Sequence, residues 1–360
     1  MKILLITLRA DHGGGPQHIN LLIKNLSNNF NIFVACPEDK PYYEKWNVET
    51  KVKNIFELPH RQFKLRKFLE LYNFIKENDI TIIHSHGKGA GLYSRLLKLI
   101  NPKLKVIHTL HGFHIQEYSF IKRKVYILIE KILSLMTNTF INVSYGEQKI
   151  CLDFGIYKKN KSIVVHNGIS KITHVINAKQ KIGLKDKFII TTISRFDYAK
   201  NMLFAYEIAK QFKNNDQIVF LWIGDGEDKM ELEEKAKEEN INIVFTGFKK
   251  EIPLYLSATD IYLSTSRWEG LPYALIEAQS LNIPIVATNV VGNNEVVVNN
   301  KNGFLFTTLK ESVQQMNTLV KDVNLYNKFK NFSEIHFESK FSINVLIEHT
   351  ENIYNKVNNE

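Results

Sequence analysis

The chain has 360 residues, a formal net charge of +10 at pH 7, 44% hydrophobic residues and 23% charged residues. This length exceeds what one ordinary hydrophobic core supports and is typical of two domains of roughly 150–200 residues each. The composition is that of a soluble folded protein, which excludes the disordered and fibrous classes.

The apolar runs indicate neither an export signal nor a membrane span. Residues 3–8 are too few for the apolar region of a signal peptide and predict a first buried strand. The longest apolar stretch, residues 125–136, contains Glu130 and Lys131 and is shorter than the roughly 20 residues that cross a bilayer. Cys36 and Cys151 stand far apart without metal-ligand spacing, so neither a disulfide scaffold nor a zinc site is expected. We therefore expect a cytoplasmic protein.

The excess of positive charge suggests three kinds of partner: nucleic acid, an anionic lipid surface or a small phosphorylated ligand. Nucleic-acid binding normally adds exposed aromatic residues between Arg and Lys, or a recognisable reading motif, and the sequence has neither. We therefore expect no nucleic-acid partner. The basic clusters at residues 60–67 and 122–124 adjoin apolar residues, as in segments that lie on anionic membranes. Solvated helix faces are the alternative interpretation of these clusters.

Short, continuously apolar runs alternate with longer stretches of helical period, which predicts parallel strands covered on both faces. In the first half these runs lie at residues 3–8, 32–36, 81–85, 106–110, 140–144 and 163–166. After a polar stretch at residues 170–186 the pattern begins again, with runs at residues 188–194, 218–223, 243–248, 261–264, 285–288 and 304–306. The sequence therefore predicts two doubly wound α/β domains in tandem.

The predicted boundary between the domains lies near residue 170. Asn167 and Gly168 precede the polar stretch, and glycine permits the backbone rotation that a hinge requires. We assign residues 1–169 to an N-terminal domain and residues 170–340 to a C-terminal domain. A helix predicted at about residues 341–357 has apolar positions with which it could pack back on the first domain.

Three glycines, Gly13, Gly14 and Gly15, follow the first predicted strand and open a helix. Such a loop lets the backbone approach an anionic group closely. The dinucleotide fingerprint would require a glycine where His18 stands, so NAD binding is only weakly indicated. A tight turn without a ligand is the alternative.

Histidines stand at the ends of three predicted strands in the first half. They are His84, His86, His108, His111, His114 and His166. Because the carboxyl ends of parallel strands line the ligand crevice, these imidazoles could converge there. No carboxylate lies among them at ligand spacing, so a metal cluster is not expected. His111, followed by the small Gly112, is the histidine that we expect to contact a substrate.

Two cations follow the first strand of the second half. Arg195 and Lys200 are five residues apart and could hold a diphosphate from two directions, or they could be solvated loop residues. Gly224, Asp225 and Gly226 end the next strand and could shape a nucleobase slot, or simply form a turn.

Two carboxylates, Glu269 and Glu277, bracket a Gly-Leu-Pro turn that predicts the start of a helix, with Pro272 in its first turn. The uncapped N–H groups and the positive end of the helix dipole would favour hydroxyl or phosphate oxygens beside Glu269. Glu277 would lie about one to two turns inside the helix. A capping acid and an unrelated surface glutamate are the alternative interpretation.

Taken in order, these motifs strongly resemble the retaining glycosyltransferases of the GT-B fold, glycosyltransferase family 4, also called glycosyl transferases group 1. The resemblance spans nearly the whole chain and includes the E-x7-E spacing of Glu269 and Glu277 and an N-G-F-L segment at residues 302–305. It implies two Rossmann-like domains that face a central cleft. The chain departs from the family pattern at residues 194–196, where Gly-Arg-Leu is frequent, and at residues 291–295, where Gly-Gly-x-x-Glu is frequent.

The resemblance also implies roles for the residues named above. Arg195 and Lys200 would bind the donor diphosphate, Glu277 the ribose, and His111 would lie near the anomeric centre. Glu269, together with the amides of Gly270 and Leu271, would hold donor-sugar hydroxyls. The loop of Gly13, Gly14 and Gly15 would approach the phosphates, and Gly224, Asp225 and Gly226 would belong to the donor site.

The implied activity is transfer of a sugar, with retention, from a nucleotide-diphosphate sugar to a glycan or lipid-linked acceptor. UDP is the commonest nucleotide of the family, and synthesis of bacterial surface polysaccharide, lipopolysaccharide or another glycan is the implied process. The chain has no D-x-D pair, so we expect no metal and no other cofactor. If the basic segments bind lipid, the enzyme would lie peripherally on the inner face of the plasma membrane.

Three other functions remain open from the sequence. A non-hydrolysing sugar-nucleotide epimerase has the same architecture, and a non-catalytic protein could bind nucleotide-sugars or glycans. An NAD-dependent oxidoreductase is the third.

Overall fold

The computed structural model describes residues 1–113, 115 and 118–360. His114, one of the strand-end histidines named from the sequence, lies outside the described residues. The chain divides into two compact units, Met1–Asn167 together with Ile343–Glu360, and Gly168–Ser342.

The first unit holds a parallel sheet of seven described strands in the order β3-β2-β1-β4-β5-β6-β7. Its strands are β1 (Lys2–Thr7), β2 (Asn31–Cys36), β3 (Val52–Glu57), β4 (Ile82–His86), β5 (Lys105–Thr109), β6 (Thr139–Asn142) and β7 (Ser162–Val164). Its helices are α1 (Gly14–Asn25), α2 (Tyr42–Asn47), α3 (Leu65–Glu77), α4 (Lys88–Ile100), α5 (Phe120–Ser134) and α6 (Tyr145–Asp153), with a 3-10 turn at Lys159–Lys161.

The second unit holds a parallel sheet of six described strands in the order β10-β9-β8-β11-β12-β13. Its strands are β8 (Phe188–Ile193), β9 (Ile218–Ile223), β10 (Ile243–Gly247), β11 (Ile261–Ser264), β12 (Ile285–Thr288) and β13 (Gly303–Phe306). Its helices are α7 (Ala178–Lys181), α8 (Met202–Lys210), α9 (Lys229–Glu238), α10 (Ile252–Ser257), α11 (Tyr273–Ser280), α12 (Asn293–Val296), α13 (Leu309–Lys321) and α14 (Val323–Lys340).

The predicted pair of doubly wound α/β units is therefore confirmed. The central strands are continuously buried: β1 buries five of its six residues and β9 buries all six, because helices cover both faces of each sheet. In each sheet the order of strands reverses at the first strand, between β1 and β4 and between β8 and β11. Ligands of such sheets bind beyond the carboxyl ends of the strands at this point of reversal.

The sequence patterns did not predict β3. This strand lies at the edge of the first sheet, and Lys53, Asn54 and Glu57 are exposed. An edge strand with one solvated side lacks the continuous apolar run by which the other strands were recognised.

The last helix, α15 (Ile343–Asn359), belongs to the first unit, although it follows the second unit in the chain. Leu346, Ile353, Tyr354 and Val357 enter the hydrophobic core beside β1, β2 and α1. The units separate at 167/168 and 342/343, two residues from the boundaries expected at 169/170 and 340/341. The reason is local, since the Ile169 N–H donates to the carbonyl of Phe341 at 2.9 Å and ties both segments to the second unit.

No helix in the described part of the chain is both long enough and apolar enough to cross a bilayer.

Candidate active site

The loop after β8 places Arg195 and Lys200 around one carboxylate, that of Asp197. Arg195 Nη2 lies 2.9 Å from Asp197 Oδ2, and the backbone N–H of Lys200 donates to Asp197 Oδ1 at 3.1 Å. The Arg195 side chain is 66% exposed, whereas that of Lys200 is 22% exposed. The two predicted cations therefore occupy different positions, Arg195 on the surface and Lys200 in a pocket.

Lys200 forms an ion pair with Glu269. The Lys200 ammonium contacts Glu269 Oε1, and the Ser266 hydroxyl donates to the same oxygen at 2.7 Å. The Glu269 side chain is only 13% exposed, so water screens this pair less than a surface pair. Two residues that the sequence singled out separately, one for phosphate and one for sugar, thus lie in direct contact.

The pocket that holds this pair lies where the second sheet reverses its strand order. Its volume is about 290 Å³, including space open to solvent. The carboxyl ends of β8 and β11, Lys200, Glu269 and the start of α11 form its walls. The lining residues are Thr192, Ile193, Ser194, Lys200, Tyr262, Leu263, Ser264, Thr265, Ser266, Glu269, Pro272, Ala274 and Leu275. Its place at the switch point is the usual ligand position of a doubly wound sheet.

Helix α11 begins at this pocket without a side-chain cap. Pro272 is its N-cap, one residue before the first turn in which the sequence placed it, and no side chain caps the helix. Pro272 offers no side-chain acceptor to the first-turn N–H groups, which together with the helix dipole favour an anion or a hydroxyl oxygen. Glu277 lies about one turn inside α11 and is half-buried, outside the described lining of the pocket.

Both carboxylates, Glu269 and Glu277, affect the pKa of Tyr262. Its hydroxyl donates to the carbonyl of Ile193 at 3.0 Å beneath the pocket. Burial raises the pKa of Tyr262, the hydrogen bond that its oxygen accepts from the Ile193 N–H at 3.1 Å opposes this, and the negative charges of Glu277 and Glu269 raise it further. Both acids of the E-x7-E motif therefore lie within electrostatic reach of one buried phenol.

The loop of Gly224, Asp225 and Gly226 packs against the backbone that carries Arg195. Gly224 has φ +137°, and a Cβ atom there would lie 1.8 Å from the carbonyl oxygen of Ser194. The carbonyl of Asp225 accepts a hydrogen bond from the Phe196 N–H at 2.9 Å, and a Cβ atom on Gly226 would lie 2.3 Å from the carbonyl oxygen of Phe196. The loop thus supports the Arg195 turn.

Gly292 makes the equivalent close approach at Glu269 and Gly270. A Cβ atom on Gly292, at φ +87°, would lie 2.7 Å from the Gly270 oxygen and 2.9 Å from Glu269 Cβ. Gly270 is half-buried and Leu271 is buried. The departure noted at residues 291–295 therefore keeps the glycine that this contact needs.

In the first unit the glycine loop lies against His111. Gly13 is the N-cap of α1, Gly14 is its first residue, and a Cβ atom on Gly15 would lie 3.8 Å from His111 Cδ2. His111 itself has φ +59°, an uncommon backbone conformation for a residue other than glycine. The structure thus brings the two predicted substrate-side features of this unit together.

His111 belongs to a cluster of four imidazoles, which we call the histidine cluster: His18, His84, His86 and His111. His111 Nε2 and His86 Nδ1 share a hydrogen bond of 2.9 Å, and the ring centroids of His18 and His111 are 5.0 Å apart. His84 bonds to the hydroxyl of Tyr354 at 2.7 Å. His18, which the sequence analysis treated only as a missing glycine, is thus part of this arrangement.

Of the other strand-end histidines, His108 and His166 are described by the structure, and both lie outside the histidine cluster. Side chains of neighbouring residues alternate between the faces of a strand, so Ser85 and its partner His108 lie opposite His84 and His86. His108 bonds to Ser85 Oγ at 2.9 Å. His166 contacts the ring of Tyr145, with centroids 5.5 Å apart. The expected convergence therefore holds for only some of the predicted imidazoles.

Burial keeps these imidazoles neutral. It lowers the pKa of His18 to about 4, and it lowers the pKa of His84, His86 and His111 well below the usual range, with neighbouring histidines adding to the effect. Within the described residues, no group of three or more His, Cys, Asp or Glu side chains is arranged to hold a metal ion. The other three histidines of the cluster therefore form a neutral support for His111.

Glu147 anchors the turn that follows His111. Its Oε1 accepts from the Gly112 N–H at 2.5 Å, and its Oε2 accepts from the Val143 N–H at 2.8 Å. Ser144 caps α6 by accepting from the Glu147 N–H at 3.1 Å. The sequence analysis missed this residue, although the spacing of Ser144 and Glu147 after a strand is a capping-box signal.

Comparison with known proteins gives matches over both units. Residues 12–171 match the family model described as Glycosyltransferase Family 4, and residues 175–335 match the model described as Glycosyl transferases group 1. A Klebsiella pneumoniae protein described as an uncharacterized 41.2 kDa protein in cps region is 33% identical over 307 residues, 81% of this chain and 82% of that protein.

A relative with a named reaction comes from Escherichia coli. It is called UDP-Gal:alpha-D-GlcNAc-diphosphoundecaprenol alpha-1,3-galactosyltransferase, and it is 30% identical over 333 residues, 85% of this chain and 84% of that protein. Among solved structures, Anabaena Alr3699/HepE in complex with UDP and glucose has a TM-score of 0.86 at 17% identity, covering 99% of this chain and 100% of that one.

Two doubly wound units, each matched by a glycosyltransferase family model, define a glycosyltransferase of the GT-B class. The chain belongs to glycosyltransferase family 4, as the motif resemblance implied.

Proposed function

We propose that this glycosyltransferase transfers a sugar, with retention, from a UDP-sugar to a lipid-linked glycan acceptor during synthesis of a bacterial surface polysaccharide. The observation that carries the proposal is the contact of Lys200 with Glu269 at the start of α11. The name of the E. coli relative gives UDP-Gal and alpha-D-GlcNAc-diphosphoundecaprenol as its substrates, and this supports our choice of substrates. UDP in the Anabaena structure of the same fold supports the nucleotide. To reach a lipid-linked acceptor, the enzyme would act at a membrane surface, which in this proposal is the inner face of the plasma membrane.

In the proposed mechanism, cations stabilise the leaving diphosphate. A sugar-nucleotide breaks between its anomeric carbon and phosphate, and the barrier falls when the negative charge that develops on the diphosphate is stabilised more strongly than in the ground state. Lys200 would exchange its contact with Glu269 for a phosphate oxygen, and exposed Arg195 would bind from the surface. The first-turn N–H groups of α11, at the positive end of the helix dipole, would stabilise the same negative charge.

The same exchange would free Glu269 for the sugar. An ionised carboxylate only accepts hydrogen bonds, so it suits sugar hydroxyls, and the Ser266 hydroxyl would keep it oriented. The amides of Gly270 and Leu271 would bind the same sugar, and Glu277 would bind the ribose. Gly224, Asp225 and Gly226 would hold the Arg195 turn in place.

His111 would contact the donor sugar near its anomeric carbon. The hydrogen bond to His86 fixes the orientation of the His111 ring. Because both rings are neutral, His111 would donate or accept a hydrogen bond without bringing a positive charge to the sugar. The loop of Gly13, Gly14 and Gly15 would approach the phosphates. For retention, we propose attack on the same face, with the departing phosphate helping to deprotonate the acceptor.

The direct test is transfer from a panel of UDP-, GDP- and ADP-sugars to a diphosphoundecaprenol-linked sugar, with the anomeric configuration of the product read by NMR. We expect a UDP-sugar to react with retention, and Lys200→Ala and Glu269→Gln to lower kcat by at least about a hundredfold, the scale of losing one transition-state contact. Lys185→Ala, an exposed lysine of the same unit, is the control. Inversion, or full activity of Lys200→Ala, would contradict the proposal, and a sugar altered without acceptor would indicate an epimerase.

Metal independence has its own test. Because Lys200, Arg195 and the start of α11 would together stabilise the diphosphate, we expect the rate to be unchanged in excess EDTA. A rate that disappears with EDTA and returns with Mg²⁺ or Mn²⁺ would show that a metal clamp is needed.

A further inference from the structure

The outward face of helix α5 is apolar. Seven large apolar side chains on α5 or directly after it are between 45% and 74% exposed. They are Phe120, Ile121, Val125, Leu128, Ile129, Ile132 and Leu135. Ile121, Val125, Leu128, Ile132 and Leu135 follow the i, i+4, i+7 spacing of one helix face. We call the seven side chains together the α5 face.

Two polar residues of α5 lie on the opposite, buried side of the helix. The buried residues of the helix are Glu130 and Ser134. Glu130 Oε2 lies 2.7 Å from Arg95 Nη1, and the two side chains are 3% and 0% exposed. Arg95 Nε also donates to the carbonyl of Gly91 at 2.7 Å. Rotation of α5 about its axis would break a buried ion pair, so the apolar face is held outward.

The exposed charges of α5 itself have one sign. Lys122, Lys124 and Lys131 are exposed, and Glu130, the helix's one acidic residue, is buried against Arg95. Lys122 and Lys124 lie over the rings of Tyr118 and Phe120, 4.4 and 4.2 Å from their centroids. Apolar side chains beside lysines match the two layers of an anionic membrane surface, the acyl boundary and the phosphate headgroups.

The other basic segment named from the sequence differs in this respect. Arg66 Nε lies 2.8 Å from Glu70 Oε1, and Lys67 Nζ lies 3.4 Å from Glu70 Oε2. These two cations have an acidic partner within the protein, whereas Lys122 and Lys124 lie over aromatic rings. The charge pattern therefore favours α5 as the element that meets lipid.

We infer that the α5 face docks on an anionic lipid bilayer, with its apolar side chains at the acyl boundary and Lys122, Lys124 and Lys131 at the phosphates. Two copies packed through this face would bring six lysines together without an acid of α5 between them, which favours lipid over self-association. The inference goes beyond the proposed function and does not depend on the donor or on the lipid-linked acceptor.

The test is flotation of the full chain with vesicles of phosphatidylcholine alone and with vesicles that also contain phosphatidylglycerol. We expect the protein to float only with the anionic vesicles and to be partly released by high salt, since salt screens the lysines. Ile121→Gln and Leu128→Gln should each reduce the bound fraction by about tenfold, because each removes apolar contact with the acyl boundary. A Lys122→Glu, Lys124→Glu double variant should do the same.

Matched controls separate docking from loss of fold. Ile335→Gln replaces an equally exposed apolar residue of α14, and we expect its flotation to equal that of the unaltered chain. Each variant should keep the unaltered melting temperature, because its side chain is already in solvent. Equal binding by the α5 and α14 variants, failure to float with anionic vesicles, or a dimer in light scattering that Ile121→Gln dissociates would overturn the inference. The flotation assay contains neither donor nor acceptor. Its result would therefore stand even if the proposed transferase activity were not found.

Discussion

Asp197 links the two cations of the candidate donor pocket. One of its oxygens binds the Arg195 guanidinium and the other binds the backbone of Lys200, so the two cations share a single support. Lys200 then has Glu269 as its side-chain partner. A phosphate that enters this pocket would compete with a carboxylate already present, which makes donor binding an exchange of ion pairs.

Glycine at position 224 is required by contact as well as by backbone conformation. We predict that Gly224→Ala lowers the free energy of unfolding by at least about 2 kcal/mol, because φ is positive and the new methyl group would overlap the carbonyl oxygen of Ser194. Urea unfolding followed by tryptophan fluorescence measures the loss.

The matched control is Gly183→Ala. Gly183 also has a positive φ, +75°, but nothing lies within 4 Å of the added Cβ position. We expect this change to cost only about 1 kcal/mol, the strain of the backbone alone. Equal losses for the two variants would mean that the close contact of Gly224 with Ser194 does not contribute to stability.

At the scale of elements, the carboxyl ends of β4 and β5 concentrate imidazoles in a region that water does not reach. His84, His86 and His108 are buried there, and His18 of α1 is buried beside them. Burial lowers the pKa of each of these groups, because a charged imidazole would lose its hydration. They fold as neutral groups at pH 7.

This arrangement predicts a loss of stability in acid. Between the unfolded pKa of about 6.5 and the lower folded pKa, the unfolded chain binds more protons than the folded chain, so the free energy of unfolding falls as pH falls. For His18, with a folded pKa of about 4, the loss amounts to about 3 kcal/mol by pH 4.

Urea unfolding at a series of pH values between 7 and about 4 tests this prediction. His18→Gln removes one titrating group, and its stability should fall less steeply with acid than that of the unaltered chain. An identical pH slope in both proteins would show that His18 titrates alike in the folded and unfolded states, so that burial does not lower its pKa.

At the scale of the whole molecule, the two ends of the chain fold together. Helix α15 buries Leu346, Ile353, Tyr354 and Val357 in the core of the first unit. The Tyr354 hydroxyl also binds His84 of the histidine cluster. The C-terminal helix therefore supports both the core and the neighbourhood of His111.

We predict that deletion of residues 343–360 unfolds the first unit and leaves the second folded, because the deletion exposes the apolar surface of β1, β2 and α1. Limited proteolysis with mass spectrometry should then cut within residues 1–167 and spare residues 168–342. Protection of both units in the shortened chain would show that α15 adds little to the first core.

A milder change tests the same contact with the chain intact. Tyr354→Phe removes the hydroxyl at 2.7 Å from His84 and leaves a buried ring nitrogen without that partner, so we expect a loss of about 1–3 kcal/mol in the free energy of unfolding. An unchanged urea midpoint would show that another group satisfies His84.

Much of the fold was predictable because burial on both faces of a parallel sheet produces continuous apolar runs. The predicted runs coincide to within about two residues with twelve of the thirteen strands that the structure describes, and β3 was missed because its edge position leaves half of it polar. The E-x7-E spacing and the glycine loops were also readable, since each depends on neighbours in the chain.

The sequence alone determined the elements, the two-unit organisation and the family, because periodicity and short motifs are local properties. Only the tertiary structure decided that Lys200 meets Glu269, that His18 joins His111, and that α5 turns its apolar side outward. Each of these depends on residues far apart in the chain that packing brings into contact. For α5, one buried pair between Glu130 and Arg95 decides which side of the helix faces solvent, and no spacing within the helix encodes that pair.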